Sequence, residues 1–243
     1  WTGGRQPTKN DLDAVAPHHP VALGSKDGHA LWVNSLALRI AGLEGTSSRL
    51  GGQVERLPDT GEPSGILKET AVEIVEKAVT PPAPQEREEA LREAIAFAQS
   101  KGLTGIHDME GQRAFTAFQS LYSRGELGLR VLMAIPRDSL EAAVRLGLRS
   151  GFGHDFLRLG GVKVFVDGAL GSQTAALCEP YEDNAANKGV VVTNREELTQ
   201  LARLAAESGI GMTVHAIGDA AVCIALDALA TVRGVGDGLR HRL

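Results

Sequence analysis

The feature that most constrains this fold is a regular alternation of helix and strand patterns after residue 84. Several predicted helices end at a glycine, the usual C-terminal cap. The predicted helices cover 85–101, 112–124, 138–149, 195–208 and 219–232, and the predicted strands cover 103–109, 129–135, 160–167 and 211–216. Strands of about five residues that alternate with helices of about a dozen predict an α/β fold with a parallel sheet.

Two architectures contain this alternation, a doubly wound sheet and a (β/α)8 barrel. No Gly-x-Gly-x-x-Gly lies between a predicted strand and a helix, which disfavours dinucleotide binding. Polar residues instead cluster at the predicted carboxyl ends of strands, where barrel enzymes place their chemistry. We therefore expect a TIM barrel of which roughly five or six of the eight units are present.

The first third of the chain is less regular. We predict a short buried strand at 20–24, a helix at 31–41 closed by Gly42, and a small β excursion near residues 45–65 with a hairpin turn at 59–61. A second, amphipathic helix is expected at 66–79. The proline-rich segment that follows cannot continue that helix.

Composition restricts the partners. A net charge of −5 with no cluster of basic residues argues against nucleic acid. No apolar run approaches the roughly 20 residues of a membrane helix, and two cysteines are too few for a disulfide framework. A cytoplasmic protein is expected. The first and last residues resemble the interior of a longer chain, so we expect an internal part of one.

The strand pattern Val162-Lys163-Val164-Phe165-Val166-Asp167 places a lysine among valines. Neighbours on a strand face opposite sides, so Lys163, Phe165 and Asp167 share one face. An unpaired buried charge is costly, so Lys163 is either a site residue or a lysine that reaches water at the strand end. His215 lies on a later strand and is a candidate metal ligand or general base.

The segment from Val162 to Leu177 resembles the central motif of amidohydrolase family 3, metal-dependent hydrolases of the amidohydrolase superfamily. Further segments match in order: Asp11–Val15, His19–Val21, Asp27–Ser35, Gly61–Leu67, Gly102–Asp108 and His215–Asp219. The resemblance covers essentially the whole chain.

This resemblance implies a TIM barrel beside a small β-sandwich, with hydrolysis of C–N bonds in small, non-peptide amides. It implies one or two divalent metal ions, with zinc expected. Lys163, carboxylated by CO2, would bridge the metals, and His215 would be a ligand. His29 would line the substrate pocket. His107 and Asp108 are expected to face the site, without an assigned role.

The chain also departs from the family pattern. It contains no His-x-His pair, and the family's catalytic aspartate would lie beyond Leu243. We therefore expect residues 1–243 to be part of one barrel domain, without its first strand and its C-terminal strands, and to be inactive alone.

Two alternatives remain open. Lys163 could form a Schiff base in an aldolase-like lyase, or the protein could be a non-catalytic regulatory derivative of an amidohydrolase. The sequence also leaves open whether the protein forms a homodimer.

Overall fold

The computed structural model describes residues 5–44, 52–236 and 238–243. The chain divides into two compact units, each built from separate segments. The first contains Trp1–Thr80, Asp167–Val192 and Ile217–Val222, and the second contains Pro81–Val166, Thr193–Ala216 and Cys223–Leu243. The assignment of 1–243 to a single barrel domain stays a prediction.

The first unit contains a four-stranded antiparallel sheet with three short helices. Its strands are β1 (Ala22–Gly24), β2 (Ala30–Val33), β3 (Gly52–Arg56) and β4 (Pro63–Glu69), in the spatial order β1-β2-β4-β3. Its helices are α1 (Lys9–Asp13), α2 (Ser35–Ile40) and α3 (Val72–Glu76). Apolar side chains of the sheet and helices form one core: Val33, Ala37, Leu38, Leu43, Val54, Leu67, Ala71 and Val75.

The predicted hairpin is confirmed. Strands β3 and β4 pair antiparallel, and Gly61 supplies a positive φ of 70° in the turn between them. Residues 45–51 of the predicted β excursion lie outside the described residues.

The two predicted helices of this region are wrong in their first three or four residues. Residues 66–69 belong to strand β4, which is buried because it pairs with both β2 and β3. Residues 31–33 belong to β2, and α2 begins only after Asn34, whose side chain accepts the backbone N–H of Ala37. Short apolar runs fit a helix or a strand equally well, and pairing with neighbouring strands makes both runs strands here.

The strand predicted at 20–24 exists, but it is not buried. Only Ala22–Gly24 are in β1, and all three residues are exposed. Among the described strands β1 pairs with β2 alone, so it lies at the edge of the sheet.

The second unit contains the parallel sheet that the alternation predicts. The strands β5 (Gly105–Asp108), β6 (Arg130–Pro136), β7 (Leu157–Phe165) and β8 (Met212–His215) lie in sequential order, and every neighbouring pair is parallel. The helices of the alternation are α4 (Pro84–Ser100), α5 (Gln112–Ser123), α6 (Leu140–Arg145), α7 (Arg195–Glu207) and α8 (Asp219–Ala230), of which residues 219–222 belong to the first unit. The α/β class is therefore confirmed.

The count of five or six barrel units is too high for the described residues, which contain four parallel strands. The expected count included the strand predicted at 20–24, but this strand is β1 and belongs to the antiparallel sheet. Beyond β8, Arg242 forms an isolated parallel bridge with Thr213.

The core of the second unit lies between the parallel strands and the helices. Val162 and Val164 of β7 are 0% and 1% exposed, and Met212 of β8 is also fully buried. Helices α5 and α7 contribute the buried Leu121 and Leu198. Within the described ranges no helix is long and apolar enough to cross a membrane.

Candidate active site

Lys163 and His215 lie on the same face of neighbouring strands. In the register of β7 with β8, Lys163 is opposite Thr213 and Phe165 is opposite His215. The Nζ atom of Lys163 lies 4.4 Å from the centroid of the Phe165 ring, and that ring is 5.1 Å from the His215 ring. The three side chains form a continuous row, as the alternation along β7 predicted.

The opposite face of β7 explains why this row is accessible. The valines of β7 point into the packed core, so Lys163 and His215 point away from it and are half-buried, and Phe165 is 42% exposed. Partial burial lowers the pKa of the Lys163 amine below its ordinary value of 10.5. A lysine with a lowered pKa is easier to convert to the neutral, nucleophilic amine.

His107 and Asp108 lie on β5, and strand β6 separates them from β7. The guanidinium of Arg242 lies 3.0 Å from Nδ1 and 3.2 Å from Nε2 of the exposed His107 ring. Asp108 accepts the backbone N–H of Glu110 at 3.0 Å and so shapes the turn after its strand. The structure therefore does not bring these two residues into the row around Lys163.

His29 belongs to the first unit, in the turn between β1 and β2. Its Nδ1 lies 3.1 Å from Oε2 of Glu69, and both side chains are largely buried. The other oxygen of Glu69 accepts the hydroxyl of Thr174 at 2.5 Å. Two residues before His29, the Asp27 carboxylate accepts hydrogen bonds from the hydroxyl of Ser25 and from the backbone N–H of His29. These hydrogen bonds lower the pKa of the Asp27 carboxyl.

Asp167 is a fully buried carboxylate in the first unit, two residues after β7 along the chain. Its Oδ2 accepts the backbone N–H groups of Ala176 and Gly218, each at 2.8 Å, and its Oδ1 accepts that of Ile217 at 3.0 Å. Asp167 therefore joins the segment after β7 to the one after His215. The prediction that it shares a strand face with Lys163 is wrong, because β7 ends at Phe165.

In the part of the chain that the structure describes, no three or more His, Cys, Asp or Glu side chains form a group able to hold a metal ion. Sequence reasoning missed Glu69, because it placed this residue inside a helix. The available signal was the Pro-Ser-Gly start of its segment, which is typical of a strand after a turn rather than of a helix interior.

Comparison with protein families decides the assignment. A family model described as "Amidohydrolase family" matches residues 1–241, nearly the whole chain. The chain belongs to this amidohydrolase family. The resemblance inferred from the Lys163 motif is thus confirmed.

Three curated relatives cover almost all of this chain. Protein LONG AFTER FAR-RED 3 of Arabidopsis thaliana is 35% identical over a 253-residue alignment that covers 99% of this chain and 43% of that protein. Putative amidohydrolase YtcJ of Bacillus subtilis (strain 168) is 36% identical, over 91% of this chain and 42% of YtcJ. N-substituted formamide deformylase of Arthrobacter pascens is 28% identical, over 94% and 44%.

A solved structure agrees with the amidohydrolase fold. An uncharacterized metal-dependent hydrolase from Pyrococcus furiosus superposes with a TM-score of 0.68 and 32% identity, over 95% of this chain and 47% of that one. This chain therefore spans about half the length of the relatives it matches.

Proposed function

We propose that this amidohydrolase serves the metal-dependent hydrolysis of C–N bonds in small, non-peptide amides. The observation that carries the proposal is the row of Lys163, Phe165 and His215 on one face of neighbouring parallel strands. In the proposed whole protein, this face lines the interior of a TIM barrel of which the described strands are part. The relatives' names supply the bond type, because one of them is an N-substituted formamide deformylase.

The donor set fits a divalent metal in part. His215 offers an imidazole nitrogen, a good zinc ligand. The Lys163 amine becomes an oxygen ligand when its neutral form attacks CO2, which forms an N–C bond, releases the amine proton and leaves a carbamate. Partial burial favours the neutral form from which this reaction starts.

Two ligands are fewer than the three protein ligands of a typical catalytic zinc site. The described residues contain no conventional cluster that completes the set. We propose that the missing ligands and the general base come from the half of the family length that this chain does not span, so that residues 1–243 alone are inactive.

A divalent metal bound there would polarise an amide carbonyl and lower the pKa of a bound water. The residues of this chain would provide the surroundings. His215 and carboxylated Lys163 would fix the position of the ion, and the Phe165 ring would exclude bulk water beside them. His29 is proposed to contact the substrate, and no role is proposed for His107 or Asp108.

The test is the metal content per chain, measured by plasma mass spectrometry after expression with zinc and bicarbonate. It is made on residues 1–243 and on a form extended to the family length. We expect one or two metal ions in the extended form, loss of metal in Lys163→Ala and His215→Ala, and little metal in the shorter chain. Lys101→Ala is the matched control, because Lys101 also lies over a phenylalanine ring, that of Phe97, at 5.2 Å.

Three outcomes would each refute part of the proposal. Metal retained by both site variants would place the ion elsewhere. An extended form without metal, whose Lys163 is trapped by borohydride with a keto acid, would instead identify the Schiff-base lyase. Turnover of an N-formyl amide by residues 1–243 would overturn the proposed inactivity.

A further inference from the structure

Glu69 has a backbone and a side chain that are both unusual. It ends strand β4 with φ of 52°, in the left-handed region that residues other than glycine rarely adopt. Its side chain is only 7% exposed, and both carboxylate oxygens are engaged. Such a conformation persists where the surroundings hold it, and it is often associated with a functional position.

Four side chains of the first unit form one hydrogen-bonded chain around this carboxylate. Nδ1 of His29 contacts Oε2 of Glu69, the hydroxyl of Thr174 contacts Oε1, and Ser172 Oγ lies 2.6 Å from that hydroxyl. Gly168 leaves the space for this contact, since a Cβ atom there would lie 2.1 Å from both Glu69 Oε1 and Thr174 Oγ1. The arrangement therefore depends on glycine at 168.

The chemistry of the contact assigns the proton on His29. An ionised carboxylate can only accept hydrogen bonds, so Nδ1 of His29 has to donate to it. In the neutral ring the second nitrogen, Nε2, then carries the lone pair. A carboxylate partner that fixes the tautomer and the ring orientation in this way is a common supporting contact for a functional histidine.

We propose that Glu69 is a positioning residue that holds His29 in the Nδ1–H tautomer. A neutral ring held in this tautomer has a hydrogen-bond acceptor, not a donor, at Nε2. The proposal rests on the contact between Glu69 and His29 and does not depend on a bound metal or substrate.

The tautomer is read directly from the ring nitrogen chemical shifts of a sample labelled with ¹⁵N-histidine, at pH about 8, above the ordinary histidine pKa near 6.5. The chain has seven histidines, and His29→Gln identifies the signals of His29 by their loss. We expect a pyrrole-type Nδ1 and a pyridine-type Nε2, with the Nδ1–H form in at least about tenfold excess, or roughly 1.4 kcal/mol.

Variants then assign the cause. In Glu69→Gln the excess should fall at least about tenfold, a further 1.4 kcal/mol, because an amide can donate as well as accept. Thr174→Val should retain the tautomer, since the carboxylate stays. Glu62→Gln is the matched control, because Glu62 is an exposed carboxylate paired with Lys9.

Predominance of the Nε2–H form in the wild type, or an unchanged ratio in a folded Glu69→Gln, would overturn the assignment to Glu69. If Glu69→Gln does not fold, the wild type decides. An excess of the Nδ1–H form there supports the assignment, because Nδ1 is the nitrogen in contact with Glu69, and an excess of the Nε2–H form overturns it. These readouts need no metal or turnover, so they remain valid if Lys163 and His215 bind no metal.

Discussion

Replacing Asp167 by asparagine tests how the segments after β7 and β8 are held. Asparagine keeps one oxygen, which can still accept the N–H groups of Ala176 and Gly218, but its NH2 group then faces the N–H of Ile217. Hydrogen bonds to a charged group contribute about 1.5–3 kcal/mol each, against about 0.5–1.5 for neutral pairs. Two weakened bonds thus account for about 2 kcal/mol, and the loss of the partly buried bond from Ile217 to the charged carboxylate adds about 1–3.

The expected loss is therefore about 3–5 kcal/mol in the free energy of unfolding. It is measured by urea denaturation followed by circular dichroism. Because the chain has two compact units, amide hydrogen exchange provides a local readout at Ala176, Ile217 and Gly218. If these amides exchange by local opening, a loss of 3 kcal/mol speeds their exchange more than about 100-fold.

The control is Asp155→Asn. Asp155 is an exposed carboxylate paired with Arg158, and its change should alter stability by no more than about 0.5 kcal/mol. A loss below about 1 kcal/mol in Asp167→Asn, with unchanged exchange at the three amides, would refute the reasoning. It would mean that the buried carboxylate does not organise these segments.

Three further changes have definite expectations. Gly168→Ala places a Cβ 2.1 Å from two side-chain oxygens and should lower the unfolding free energy by about 1–3 kcal/mol, whereas Gly24→Ala, with nothing within 4 Å, should not. Burial lowers the pKa of Lys163 in the folded state, so the unfolded state binds more protons at pH values between that pKa and 10.5. The free energy of unfolding, measured in CO2-free buffer, should therefore rise with pH in this range, and Lys163→Met should abolish the rise. The hydrogen bond from the backbone N–H of Cys178 lowers the pKa of Asp219, so the ionised Asp219 stabilises the folded state above pH 3.8. This contribution to the free energy of unfolding should be lost as the pH falls below 3.8 through the folded pKa, and an acid titration of Asp219→Asn should lack that loss.

The parallel sheet could be predicted because its signals are local. Gly102, Gly125 and Gly209 end helices with φ of 80°, 72° and 76°, and each predicted strand between the helices is present. The placement of Lys163 and His215 on one face follows from the two-residue period of a strand. These features need no knowledge of which residues meet across the fold.

The antiparallel sheet could not be predicted in the same way. Leu31 and Leu67 are partners across β2 and β4, 36 positions apart in sequence, and each sits in a run that also fits a helix. The contact between His29 and Glu69 also spans 40 positions. Pairings of this kind depend on the assembled sheet, so the sequence pointed to His29 but not to its partner.

Two largely buried carboxylates anchor the C-terminal end of the segment from Gly168 to Ala176, and this makes a final prediction. Thr174 attaches it to Glu69, and Ala176 attaches it to Asp167. If the segment opens as one unit, the loss of one anchor already weakens the whole segment, so the loss of the second costs less free energy of unfolding than it would alone. In a double-mutant cycle, Asp167→Asn and Thr174→Val should then be less than additive by about 1 kcal/mol, whereas independent sites add within about 0.3–0.5. The cycle is measured by urea denaturation, and strict additivity would mean that each anchor holds only its own residue.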